Sequence, residues 1–262
     1  SFIARTGRAA YRKILDGSER ANVVKVANMN WLDMEAAVKK DQRCILPIGS
    51  TEQHAQLSLC VDMILAEKMA LDVAEPLNIP VFPVMPYGLA PYFAAFPGTV
   101  SLRVETLMAV IRDIVASLYQ SGFRKILIVN GHGGNNPVGA LSQELMAEYH
   151  DISVKFHNWW NAPATWAKAQ SIDSTGSHAN WMENFPWTRL AHAPAPKGEK
   201  QVIDMSLMKI SSPKKVREML GDGSFGGPWQ RQDEDMLAIW ETGINETREA
   251  LEGPWPALKD SI

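Results

Sequence analysis

The stretch Lys-Ile-Leu-Ile-Val at residues 125–129 constrains this chain most: after Lys125 it is an unbroken apolar run that ends at Asn130-Gly-His-Gly-Gly-Asn135. A strand with one wet face alternates apolar and polar residues, whereas one that does not alternate is covered on both faces. Pro137, a good first-turn residue, then opens a helix running to about residue 150. The same rhythm appears earlier. Residues 43–47 read as a short buried strand, followed by a loop rich in acid and imidazole and a helix over 62–75. Residues 80–85 and 152–157 are strand-like, and 105–121 has helical periodicity. Strand, loop and helix repeating in this order predict an α/β fold with a mainly parallel sheet covered by helices on both faces. Ligands of such sheets gather at the carboxyl ends of the strands.

At 262 residues, 46% of them hydrophobic, the chain suits one large domain better than two small ones. Residues 1–29 read as a mildly basic lead-in and residues 30–262 as the single domain. Asn30 with Asp33 is set to cap a helix over 31–40. Near the other end, 221–229 reads as a loop and 230–251 as a final amphipathic helix.

With 26 basic against 29 acidic residues the net charge is −3, which leaves no electrostatic footprint for nucleic acid. No apolar run approaches the ~20 residues that span a bilayer, and the first residues lack the apolar core of a secretory signal. Two cysteines, Cys44 and Cys60, are too few for a disulfide framework. A cytoplasmic protein with buried inert thiols is the expectation.

Two segments carry chemistry. Ile48 to Asp62 holds Glu52, His54 and Asp62, and the second segment holds His132. Exposed loop polarity is the bland account of the first. Against it, the loop follows a buried strand and opens a buried helix, where such groups are costly without a metal or partner. For His132 the bland account is a surface residue in a glycine-rich turn, yet those glycines permit close backbone approach to a ligand. Carboxylates and imidazoles at strand ends are what divalent metal needs. Gly221-Asp-Gly-Ser-Phe-Gly226 matches a dinucleotide pattern but follows a helix and runs into Pro228, so it reads as a flexible loop. Trp159, Trp160, Trp166, Trp181 and Trp187 crowd a short stretch and read as a loop-rich wall over a pocket, with His178 and Glu183 among them. His150, His157 and His192 have no comparable setting.

In this order, Glu52-Gln-His54 … Asp62, Phe96-Pro-Gly-Thr-Val-Ser-Leu102, Asn130 to Asn135 and His178-Ala … Glu183 resemble the creatininase (creatinine amidohydrolase-like) family, over roughly residue 28 to the end. The resemblance implies a three-layer α/β/α sandwich, two divalent ions (zinc, manganese or iron) and a homo-oligomer, often a hexamer. Asp62 would then bridge both ions, Glu52 and His132 would complete one shell, and His54 would belong to the other. Creatininase itself has a Glu two residues after the counterpart of His132, where this chain has Gly134, so Glu183 is the expected fifth ligand. His178 matches a residue suited to proton transfer, and Glu183 is the alternative proton carrier.

The chain also departs from that pattern. A second histidine usual after Glu-Gln-His is absent, and Tyr92-Phe93 stands where Glu-His is common. With Tyr92, Phe93, Trp159, Trp160 and Trp181 as the expected substrate wall, the substrate should be flatter or less polar. The implied activity is hydrolysis of a C–N bond in a small, cyclic amide or lactam-type compound by a hydroxide held between the ions. Processing of a peptide end, and a catalytically inactive metal-dependent binding or assembly protein, are the alternatives.

Overall fold

The computed structural model describes residues 23–256. Helix α1 (Trp31–Lys40) leads into strand β1 (Arg43–Ile48), then α2 (Val61–Ala74), α3 (Val104–Gln120), β2 (Lys125–Asn130), α4 (Pro137–Glu148) and β3 (Ser153–Asn158). Helix α5 (Pro163–Ile172), the short strand β4 (Glu199–Lys200), α6 (Pro213–Leu220), β5 (Gly227–Pro228) and the long α7 (Asp233–Glu252) follow.

Strands β1, β2 and β3 pair in that order, all parallel, with Ile48 opposite Asn130 and Asn130 opposite Asn158. Their alternate residues feed two cores. Ile45, Leu127 and Val129 pack with Leu65, Met69 and Val73 of α2 and with Met236, Ile239 and Trp240 of α7. Leu46, Ile48, Ile126 and Ile128 pack with Ile111 and Val115 of α3 and Val138 and Leu145 of α4. The result is an α/β/α arrangement, with each large buried side chain contributing ~1.5–3 kcal/mol. The unbroken apolar run of β2 is explained by this: every one of its side chains meets a helix layer.

Residues 80–85 lie along the free side of β1 but form only isolated parallel bridges, at Val81 and Met85. Phe82 donates to the Ile45 carbonyl (2.9 Å) and Met85 to that of Pro47 (3.0 Å). Ile45 donates to the Pro80 carbonyl and Gly49 to that of Met85, both 2.9 Å, but Pro47 between them in β1 has no N–H to give, so the ladder is interrupted. Beyond this segment, Val26 donates to the Val81 carbonyl (3.0 Å) and Val81 to that of Val24 (2.8 Å). The folded body therefore takes in chain before residue 30, because Val24 is buried and Val26 is hydrogen-bonded there. Residues 1–22 of the expected lead-in lie outside the described residues.

Asn30 caps α1 as expected: its side chain accepts from Leu32 N (2.9 Å) and Asp33 N (3.1 Å), and Asp33 accepts from Asn30 N (3.1 Å). Trp240 ties α7 to α2 by donating to Asp72 Oδ2 (2.8 Å). No helix among the described residues is long and apolar enough to cross a membrane.

Candidate metal centre

The parallel register decides where the site forms. Because Ile48, Asn130 and Asn158 lie side by side, the chain leaves all three strands at one level. The loop after β1 brings Glu52 and His54, the turn after β2 brings His132, and the chain after β3 brings Trp159 and Trp160. Asp62 sits in the first turn of α2, where a helix N-terminus favours negative charge. Ser50 donates to Asp62 Oδ2 (2.8 Å) and holds the carboxylate in place.

Glu52, Asp62 and His132 bring one ligand atom each within 4.8 Å of one another, and His54, Asp62 and Glu183 do the same. The two groups share Asp62. A further group of Glu52, His54 and His178 overlaps both. His132 donates from Nε2 to the Leu89 carbonyl (2.7 Å), which turns Nδ1 toward Asp62 Oδ2 (2.8 Å) and Glu52 Oε1 (3.4 Å). His54 donates from Nδ1 to the Glu52 carbonyl (3.1 Å), which turns Nε2 toward Asp62 Oδ1 (3.1 Å) and Glu183 Oε2 (3.5 Å). A backbone acceptor on one ring nitrogen is the usual way to aim the other at a metal.

Glu52, His54, Asp62 and His132 are all buried. Burial works against a charged imidazole, but Asp62, Glu183 and Glu52 outweigh it and push His54 up to about 10. The same balance raises His132 well above its ordinary range, with Glu52 and Asp62 as the opposing charges. Burial would raise Asp62, yet His54 and His132 hold it far below the usual carboxylate range. Glu52 is raised, chiefly by burial, and Glu183 is pushed up to about 7 for the same reason. Glu52 Oε2 is buried with no hydrogen-bond partner. An acceptor-only oxygen orphaned in this way, next to imidazole nitrogens aimed inward, fits a divalent cation.

Two details support Glu183 as the extra carboxylate. A Cβ at Gly134 would lie 1.9 Å from the Leu89 carbonyl oxygen and 2.4 Å from His132 Nε2, so no side chain fits there without breaking the bond that aims His132. Glu183 closes the short 3-10 turn Trp181–Glu183, and its Oε2 accepts from Ala179 N (2.6 Å). Ala179, like Ala55 after His54, holds a positive φ (55° and 52°). Such a conformation costs an L-residue ~1–2 kcal/mol, and here it bends the chain just after His54 and His178.

Glu52, Asp62, His132 and Glu183 of the cluster line a cavity of about 330 Å³, whose wall includes Tyr92, Phe93, Trp159, Trp160 and His178. Phe93 stacks on His178 (4.6 Å, 11° between planes). Trp181 does not reach the cavity. It is fully buried in the core with α2 and α7, because the turn that presents Glu183 points the indole the other way. Trp187 packs against the same core, whereas Trp166 does line the cavity. Met205, Met208 and Lys209 also line it, from a stretch without a sequence motif, as does Phe225 from the loop after residue 221. No periodicity marked them. Ser50 and Gln53 lay inside the quoted motif, where only their hydrogen bonds single them out. The Gly221–Gly226 segment is not an idle loop either: Ser224 is buried, and Gly223 O accepts from Gln53 Nε2 (3.0 Å). Of the other histidines, His157 bonds Thr247 Oγ1 (2.9 Å), while His150 and His192 are exposed.

A family model described as creatinine amidohydrolase matches residues 27–251. The chain is 33% identical over 151 residues to a creatinine amidohydrolase of Pseudomonas putida, covering 53% of this chain and 58% of that protein. It is 37% identical over 98 residues to a mycofactocin precursor peptide peptidase of Mycolicibacterium smegmatis, covering 35% and 39%. The chain thus matches less than two thirds of the length of either relative. A solved creatininase superposes with a TM-score of 0.69 at 23% identity, over 88% of this chain and 97% of that one. Creatininases of the same fold have been solved in forms described as Zn-Zn and Mn.

Proposed function

The chain belongs to the creatininase (creatinine amidohydrolase) family, and on that basis we propose that it is a metal-dependent amidohydrolase cleaving a C–N bond of a small, cyclic amide or lactam-type compound. The observation that carries this reading is the pair of ligand groups sharing Asp62 under an aromatic cavity. Glu52, Asp62 and His132 would hold one divalent ion, and His54, Asp62 and Glu183 the other. Mixed imidazole and carboxylate donors suit zinc, manganese or iron. When bound, such a pair supplies a nucleophile at neutral pH and polarises a carbonyl.

The chain's own residues do the rest. Tyr92, Phe93, Trp159 and Trp160 flank a flat substrate and exclude water. Lys209, the one lysine or arginine on the described wall, attracts an electron-rich edge of it. The leaving nitrogen needs a proton, and His178 and Glu183, which both line the cavity, are the candidates to deliver it. A homo-oligomer, by resemblance a hexamer, belongs to the same proposal.

The mycobacterial relative favours a second reading, in which the substrate is a peptide end. The cavity of about 330 Å³ favours the smaller molecule, since ligand pockets run from ~300 to ~1,000 Å³. A binding protein without turnover is the non-enzymatic alternative.

Metal analysis of Asp62→Ala tests the core of the proposal. The variant should lose both ions, because one carboxylate contributes to two shells; unchanged metal content would remove the bridging role. Metal-loaded protein should turn over some member of a panel of cyclic amides, imides and ureas and stop on addition of a chelator. Turnover confined to peptides would select the second reading, and near-stoichiometric metal with no turnover on either panel the third.

A further inference from the structure

The Gly221–Gly226 segment bears on how His178 works. Gly223 (φ +105°) presses so close that a Cβ there would lie 1.7 Å from Gln53 Oε1. Its carbonyl accepts from Gln53 Nε2 (3.0 Å), and Phe225 N donates to the His178 carbonyl (3.2 Å). Lys200 braces the segment by donating to the carbonyls of Leu220 (2.6 Å) and Ser224 (2.7 Å). Phe93 stacks on one face of the His178 ring, and the Phe225 ring, 4.8 Å away and tilted, meets it from the side.

The carboxamide of Gln53 has one orientation. Its Oε1 accepts from Ala55 N (3.2 Å) while Nε2 donates to Gly223 O. A flip would set oxygen against a carbonyl and N–H against N–H. The second amide hydrogen is therefore left for His178 Nε2, 2.9 Å away. A nitrogen that accepts it carries no proton itself. The Gln53 carbonyl also lies 3.1 Å from this atom, but leaving one carbonyl lone pair without that donor costs less than abutting two donors. The neutral ring then bears its proton on Nδ1, which faces acceptors: Glu52 Oε1 at 3.7 Å and Glu183 Oε2 at 3.9 Å.

We propose that Gln53 is a positioning residue that holds His178 as its neutral Nδ1–H tautomer, so that His178 is a fixed hydrogen-bond donor to the oxygen that gains charge in the reaction and not a carrier of protons. The inference rests on the hydrolase reading above. Its balance is that of simple hydrolysis: the oxygen of water forms the new C–O bond and the C–N bond breaks. The water's proton reaches the nitrogen by way of the Glu183 carboxylate, while the His178 proton stays on Nδ1. A neutral imidazole used in this way needs no change of charge during turnover.

The test is a long-range proton–nitrogen correlation spectrum of ¹⁵N-histidine-labelled, zinc-loaded protein near neutral pH, in which six histidines are to be assigned. His178 should show a protonated Nδ1 and a bare Nε2. Gln53→Glu replaces the donor by an acceptor and should invert the pattern, with Nε2 protonated. A wild-type His178 with protonated Nε2 and a bare or metal-bound Nδ1, or with both nitrogens protonated, overturns the proposal. So does a Gln53→Glu pattern identical to wild type. If that variant does not fold, the wild-type spectrum decides alone. The readout needs no turnover, so a failed hydrolase reading is recognised separately, by the absence of zinc uptake or of any substrate.

Discussion

Residue types and spacing picked out Glu52, His54, Asp62 and His132, because a carboxylate or imidazole at the end of a buried strand has few physical excuses. Their partners were less legible. Leu89 aims His132 through a backbone oxygen, a group every residue has, and Gln53 acts through one hydrogen bond to a histidine 125 positions away. Trp181 shows the converse: in composition it matches Trp159 and Trp160, but only the turn geometry sends it to the core. His178 supports a kinetic prediction. Loss of one donor to a developing oxyanion typically lowers kcat by ~10²–10³, and His178→Ala should fall in that range with its metal intact. His178→Asn keeps an N–H near the place of Nδ1 and should retain kcat to within about tenfold, since one donor contact, not a proton path, is being replaced. Equal losses in the two variants, measured on the same substrate, would mean that His178 carries the proton after all.

Elements differ in how they are held. The β2 strand was legible as doubly covered, and the structure places Leu127 and Ile128 on opposite cores. Leu127→Ala should therefore cost ~2–5 kcal/mol in urea unfolding, with the spread set by how far α2 and α7 can collapse onto the gap. Helix α1 buries no residue and exposes Trp31 and Leu32, so its capping box is a main local support. Asn30→Ala should cost only ~1 kcal/mol, read in the same assay. Reversed sizes would mean that the sheet core is loose and α1 is an anchor. Residues 80–85 gave the right strand signal but not its interruption, because a proline's missing donor matters only once a neighbour is alongside.

For the whole molecule, the protein envelope sets the charge state of the cluster. Without metal, His54 is pushed up to about 10 and His132 stands well above its ordinary range, so both hold protons at neutral pH. A group whose pKa is raised is protonated below that value, and a divalent ion must displace that proton. Metal affinity should therefore rise with pH between about pH 6 and pH 9, and zinc uptake near pH 7 should release protons. Glu183, pushed up to about 7, adds competition below that pH. Calorimetric titrations in buffers of different ionisation enthalpy measure the release, and pH-independent affinity would sink the idea. The sequence by itself determined the α/β class, the strands that are covered on both faces and the ligand types at their ends, because periodicity and burial cost are local properties of the chain. The tertiary structure alone decided that Asp62 falls in two candidate ligand groups, that Glu183 brings its carboxylate beside His54 while residue 134 has no room for a side chain, and that Gln53 Nε2 meets His178 Nε2. Those outcomes depend on strand register and on which backbone atoms fill the remaining space, and neither is written in any one segment.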